Sequence, residues 1–222
     1  QYRVSKYDLS TGQYTELWTY TGDDRVDVFG ENTGKVDSMS DGSYVRMDSN
    51  GNFYIMTSST GNDNDTLIKV NFDKNTSEVI YTTDMEKLYS LQSDGEYLYF
   101  FESTQSRETK SYFTAIDMNG TLKAQYEMEY DEEFLEKAKK YYEQYPEDTS
   151  VVADASGICV YGIDERYILM GSNSDSDVYK NLKSLNSKPY KKVITTGVGV
   201  INKMDYLNSG TASIKQIYQN LS

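Results

Sequence analysis

Apolar residues recur at every second position in short runs along this chain, the period of a strand with one buried face. One recurring unit is a strand, a turn and a second strand rich in apolar and aromatic residues. It reads YRVSKYDLSTGQYTELWTY at 2–20, TLIKVNFDKNTSEVIYTT at 66–83, SYFTAIDMNGTLKAQYEM at 111–128 and VGVINKMDYLNSGTASIKQIYQ at 198–219. Gly12, Asn75, Gly120 and Gly210 mark the turns, because Gly and Asn tolerate turn dihedrals. A second hairpin type reads YVRMDSNGNFYIMTSS at 44–59, LYSLQSDGEYLYFFES at 88–103 and ICVYGIDERYILMGS at 158–172. Its second strand opens on an aromatic (Phe53, Tyr97 or Tyr167) and is almost continuously apolar, which predicts burial on both faces.

Joined in order, the two types predict four-stranded units A–B–C–D over roughly 44–83, 88–128 and 156–219. Repeats of about 40 to 45 residues with four antiparallel strands are the pattern of β-propeller blades. In this hairpin style the chain resembles the Tyr- and Asp-rich β-propellers of surface lipoproteins and secreted proteins of Gram-positive bacteria. The resemblance implies an all-β, propeller-like fold of about three and a half blades. It implies an extracellular or cell-surface setting and carries no diagnostic catalytic motif.

The hairpin at 2–20 has no A–B hairpin before it. Blade strands without their neighbours leave lateral faces open. Residues 1–222 are therefore expected to form a single propeller-type domain that is the C-terminal part of a larger propeller, whose N-terminal half is a partner. Closure as a small ring and association of two chains are the alternatives.

Two insertions interrupt the repeat. In DEEFLEKAKKYYEQYPEDTS at 131–150, Phe134, Leu135, Ala138, Tyr141, Tyr142 and Tyr145 share a helical stripe, and Pro146 ends it. This predicts one amphipathic helix near 131–145. Packing of that helix on the sheets would bury the tyrosines; otherwise Tyr141, Tyr142 and Tyr145 form an aromatic patch for a glycan or protein. The second insertion, 173–196, holds five lysines against two aspartates. Tyr179, Lys180, Lys183, Lys188, Tyr190 and Lys191 are its candidate contacts, since a long basic loop on an acidic body can seat an anionic ligand or partner. The segment 21–43 reads as a polar linker or an irregular hairpin.

Composition then narrows the chemistry. The 222 residues contain 22 Tyr and 7 Phe, enough aromatic mass for a core despite a mean hydropathy of -0.69. No apolar run approaches the roughly 18 to 20 residues of a membrane span. There is no His, which removes His-based triads and His-ligated metal enzymes. The net charge of -13 repels a phosphate backbone, so nucleic acid is not an expected partner. The single cysteine, Cys159, excludes an intrachain disulfide and reads as a buried structural thiol in a strand. Hard oxygen donors for Ca²⁺ are Asp63 and Asp65 in one acidic loop and Asp175 and Asp177 in another. The run Asp48-Ser49-Asn50-Gly51 lacks EF-hand spacing and reads as a turn. No other cofactor is expected.

Together these features point to a non-enzymatic extracellular binding or scaffold module that recognises a glycan or protein through its loops. The alternative is a carbohydrate-active enzyme fragment with Asp/Glu acid–base catalysis, which needs two carboxylates about 5 to 10 Å apart in a pocket.

Overall fold

A computed structural model describes residues 2–20, 27–28, 31–32, 45–57, 64–104, 110–128, 132–147, 158–172, 197–210 and 215–219. The fold is mostly β, with antiparallel strand pairing throughout the described sheets. Contacts divide the chain into two compact units, residues 1–84 and 85–222.

In the first unit, β1 (Tyr2–Tyr7) pairs with β2 (Tyr14–Tyr20) as a two-stranded hairpin. Two short strands, β3 (Asp27–Val28) and β4 (Glu31–Asn32), pair with one another, so the described part of 21–43 is an irregular hairpin. The four strands β5 (Val45–Met47), β6 (Asn52–Thr57), β7 (Thr66–Asn71) and β8 (Thr76–Thr82) form a meander in chain order. Val4 packs against Ile55, Ile68, Val70 and Phe72, with Leu17, Val45 and Phe53 around them. The alternation of β1 and β2 thus places their apolar side on the sheet.

The second unit holds two such meanders. One runs β9 (Lys87–Ser93), β10 (Tyr97–Ser103), β11 (Ser111–Asp117), β12 (Leu122–Glu127). The other runs β13 (Ile158–Ile163), β14 (Tyr167–Ser172), β15 (Gly197–Asn202), β16 (Lys215–Gln219). Between them stands α1 (Glu132–Gln144). Tyr99, Phe101, Phe113 and Ala115 from the first meander share a core with Ile158, Val160, Ile168, Met170 and Ile201 from the second. The edge strands β9 and β13 of the two sheets meet through side chains. The Gln92 amide donates to the Val160 carbonyl at 3.1 Å, and the Ser90 hydroxyl accepts from the Val160 N–H at 3.3 Å. Ser90 is presented by a bulge at φ 57°, a conformation uncommon for a residue with a Cβ.

The turn chemistry repeats with the strands. Three C strands, β1, β7 and β11, end at or just before an Asx residue (Asp8, Asn71, Asp117) whose side chain accepts a backbone N–H of the turn. Gly12, Asn75 and Gly120 then take positive φ, as the turns require. The predicted turn at Gly210 is different. Asn202, at the same place in β15, caps a short helix, α2 (Lys203–Ser209), by accepting from the Asp205 N–H at 3.1 Å. Gly210 ends that helix in the left-handed region rather than turning a hairpin. The sequence NKMDYLNSG carries both cap signals, and its apolar spacing fits a helix as well as a strand. The fold therefore has a second helix that the single inserted helix near 131–145 did not anticipate.

Candidate functional site

An aspartate opens each A–B turn and organises it. Asp48 accepts the N–H groups of Asn50 and Asn52, the Asn52 amide and the Tyr54 hydroxyl. Asp94 accepts the N–H groups of Glu96 and Tyr97, the Tyr99 hydroxyl at 2.9 Å and the Lys203 ammonium at 3.1 Å. Asp164 accepts from the N–H groups of Arg166 and Tyr167. Burial opposes ionisation of Asp48 and Asp94, but these hydrogen bonds outweigh it and hold both carboxyls below the usual range. Asp8, Asp117 and Asp164 are lowered too, by hydrogen bonds from their own turns. The abundant turn aspartates are thus structural acceptors.

A cleft of about 680 Å³ lies in the first unit, beside the A–B turn of the β5–β8 sheet. Ser5, Lys6 and Tyr7 of β1 and Leu17 of β2 form one wall, and Met47 with the turn 48–51 forms another. Phe53, Phe72 and Asp73 complete the lining. Phe53 and Phe72 pack edge to face with centroids 5.0 Å apart, and Phe72 is buried. The floor therefore continues the core between hairpin and sheet. Apolar side chains reach the rim: Tyr7 is 56% exposed, Met47 is 63% exposed, and Tyr14 lies against Tyr7 with centroids 6.4 Å apart. Lys6 and Asp73 supply opposite charges. Ser5 Oγ is buried without a hydrogen-bond partner. Such a cleft has the size and mixed lining of a ligand site. Asp48 cannot serve it as a general acid, because its two oxygens are held as an anion by four donors.

The residues proposed from sequence fall elsewhere. Tyr141, Tyr142 and Tyr145 cluster on α1, with Tyr141 at 5.6 Å from Tyr142 and 4.9 Å from Tyr145 between centroids. Ala138 is buried, Tyr141 and Tyr142 are half-buried, and Leu135 and Tyr145 are exposed. The stripe is thus only partly covered. Asp65 is buried and its carbonyl accepts the Thr83 N–H. Among the described residues no three acids or cysteines gather to hold a metal ion. Asp63, Asp175, Asp177, Tyr179, Lys180, Lys183, Lys188, Tyr190 and Lys191 lie outside the described residues. Cys159 is half-buried rather than buried, because β13 turns Ile158 and Val160 into the core and Cys159 to the other face with exposed Tyr161.

Sequence reasoning missed the cleft residues Lys6, Tyr7, Met47, Phe53 and Asp73. The signal was the unpaired hairpin at 2–20, which already implied an open face beside it. No helix among the described residues is long and apolar enough to cross a membrane. Comparison with models of known protein families finds no match, and no curated protein matches the chain.

Proposed function

We propose that this chain is a non-enzymatic binding module of an extracellular or cell-surface protein, built from propeller-type blades, and that the cleft beside β1 and the 48–51 turn holds its ligand. Support for the blades comes from successive four-stranded meanders and from the meeting of their edge strands β9 and β13. The observation that carries the binding role is the cleft: an apolar floor under a rim of exposed Tyr7 and Met47, with Lys6 and Asp73 beside it. Exposed aromatic and methionine side chains over a half-buried apolar floor are typical of recognition surfaces.

The test is a thermal-shift screen with oligosaccharides and peptides, run alongside a turnover assay on the same compounds. A binder raises Tm without product, and Met47→Asp removes the shift. Product formation from any oligosaccharide overturns the non-enzymatic reading.

A further inference from the structure

We propose that Asn50–Gly51, in the β5–β6 turn, is a site of covalent self-modification, at which the Asn50 side chain is deamidated through attack by the Gly51 nitrogen. Asn-Gly occurs at 50–51 and at 119–120. Both pairs stand in hairpin turns, between β5 and β6 and between β11 and β12. The reaction needs a side-chain amide carbon that can swing to the next backbone nitrogen. It also needs a next residue with no Cβ to crowd the ring that forms. Gly51, at φ 77°, meets the second need.

The turn leaves the reacting atoms loosely held. Asp48 fixes the backbone around them, its Oδ1 accepting the N–H groups of Asn50 at 2.8 Å and of Asn52 at 3.0 Å. Asn50 itself is exposed, and its side chain makes no hydrogen bond among the described residues. The Gly51 N–H reaches the Asp48 carbonyl at 3.3 Å. That is longer than the roughly 2.7 to 3.2 Å of a well-made N–H···O bond. The Gly120 N–H, by contrast, donates to the Asp117 carbonyl at 3.0 Å. Asp94–Gly95 marks the other extreme. An aspartate can close the same ring with loss of water, but the Asp94 carboxylate is engaged by Glu96, Tyr97, Tyr99 and Lys203. The Gly95 N–H is also taken, by Ser93 Oγ at 3.0 Å.

The chemistry balances with water as the only co-reactant. As the Gly51 nitrogen bonds to Asn50 Cγ, its proton passes through solvent to the side-chain nitrogen, which leaves as ammonia. The product is a cyclic imide, and water adds to one of its two carbonyls. Breaking the bond between Cγ and nitrogen gives aspartate. Breaking the bond between the backbone carbonyl and nitrogen gives isoaspartate, with the chain routed through Cβ. Either product sets a carboxylate beside Asp48 and close to Asp73, whose Oδ2 lies 3.8 Å from the Cβ position of Gly51. Like charges at this spacing repel. Isoaspartate also moves Gly51 and Asn52 off their Asp48 acceptors. The cleft wall at 48–51 thereby becomes more acidic.

The test incubates the whole chain from neutral pH into mild alkali and maps it by peptide mass spectrometry, with aspartate and isoaspartate peptides separated by chromatography. Asn50 is expected to convert first and faster as pH rises. Its lead over Asn119 is about fivefold, the worth of one well-made hydrogen bond. Asp94 stays unchanged. In urea the two asparagines react at similar rates, because the fold rather than the Asn-Gly pair separates them. Asn50→Ser, at an exposed position, abolishes the acidic species at this turn, and Asn50→Asp reproduces the lowered Tm of the modified chain. Equal rates in the folded chain, or a faster Asn119, overturn the role given to the turn. An Asn50 that stays intact until the chain unfolds overturns the site itself.

Discussion

At the residue scale, the aspartates that open the turns tie stability to pH. Asp8, Asp48, Asp94, Asp117 and Asp164 all have carboxyls lowered by turn hydrogen bonds. A carboxyl that ionises more easily folded than unfolded stabilises the fold fully above its unfolded value, about 3.9 for Asp. That contribution disappears as pH falls through the folded value. Tm is therefore expected to hold down to about pH 4 and to drop below it. A Tm-versus-pH series checks this, and Asp94→Asn shallows the acid drop. The same substitution weakens the contact with Lys203, at a cost of about 2 kcal/mol in urea unfolding at pH 7. Tyr206 makes a second test. It is buried against Phe113 at 5.0 Å, and its hydroxyl donates to the carbonyls of Phe113 and Ala124. Tyr206→Phe is expected to cost about 1 kcal/mol and Tyr206→Ala about 3 to 5 kcal/mol, read by the same unfolding.

At the element scale, strands were legible because their period is short and their turns carry Asx and Gly at fixed places. The hairpins read at 2–20, 66–83 and 111–128 and the A–B pairs read at 44–59, 88–103 and 158–172 all form as strand pairs. The α2 segment was misread because seven residues with Met204, Tyr206 and Leu207 satisfy both periods, and only packing on the β11–β12 pair decides between them. Helix α1 was legible, since 13 residues with a repeated aromatic stripe exclude a strand. Its burial was not legible, because a stripe states which face is apolar and never what covers it. Lys140 and Glu136 form an i,i+4 pair at 2.7 Å on the exposed side. Tyr145→Ser is expected to change Tm by less than about 2 °C, since the residue is 46% exposed and surface changes stay within about 0.5 kcal/mol. A loss comparable to that of Tyr206→Ala would show that the patch is structural.

At the scale of the whole molecule, the cleft could be anticipated as an open face but not as a site. The pattern gave a hairpin at 2–20 outside the three four-stranded units, while Lys6, Met47 and Asp73 are 26 to 67 residues apart and become neighbours only through folding. The Asp–Tyr contacts in the A–B turns have an optical consequence. Burial and the adjacent carboxylates push the phenols of Tyr54 and Tyr99 far up, and burial does the same to Tyr206. These rings stay protonated in the folded chain at a pH where unfolded tyrosine, near 10, is already phenolate. Ultraviolet absorbance of phenolate in mild alkali therefore rises from these three only when the turns and core open. With no imidazole to titrate between the carboxyls and the phenols, that absorbance step is a dye-free clock for unfolding built into the protein's own tyrosines.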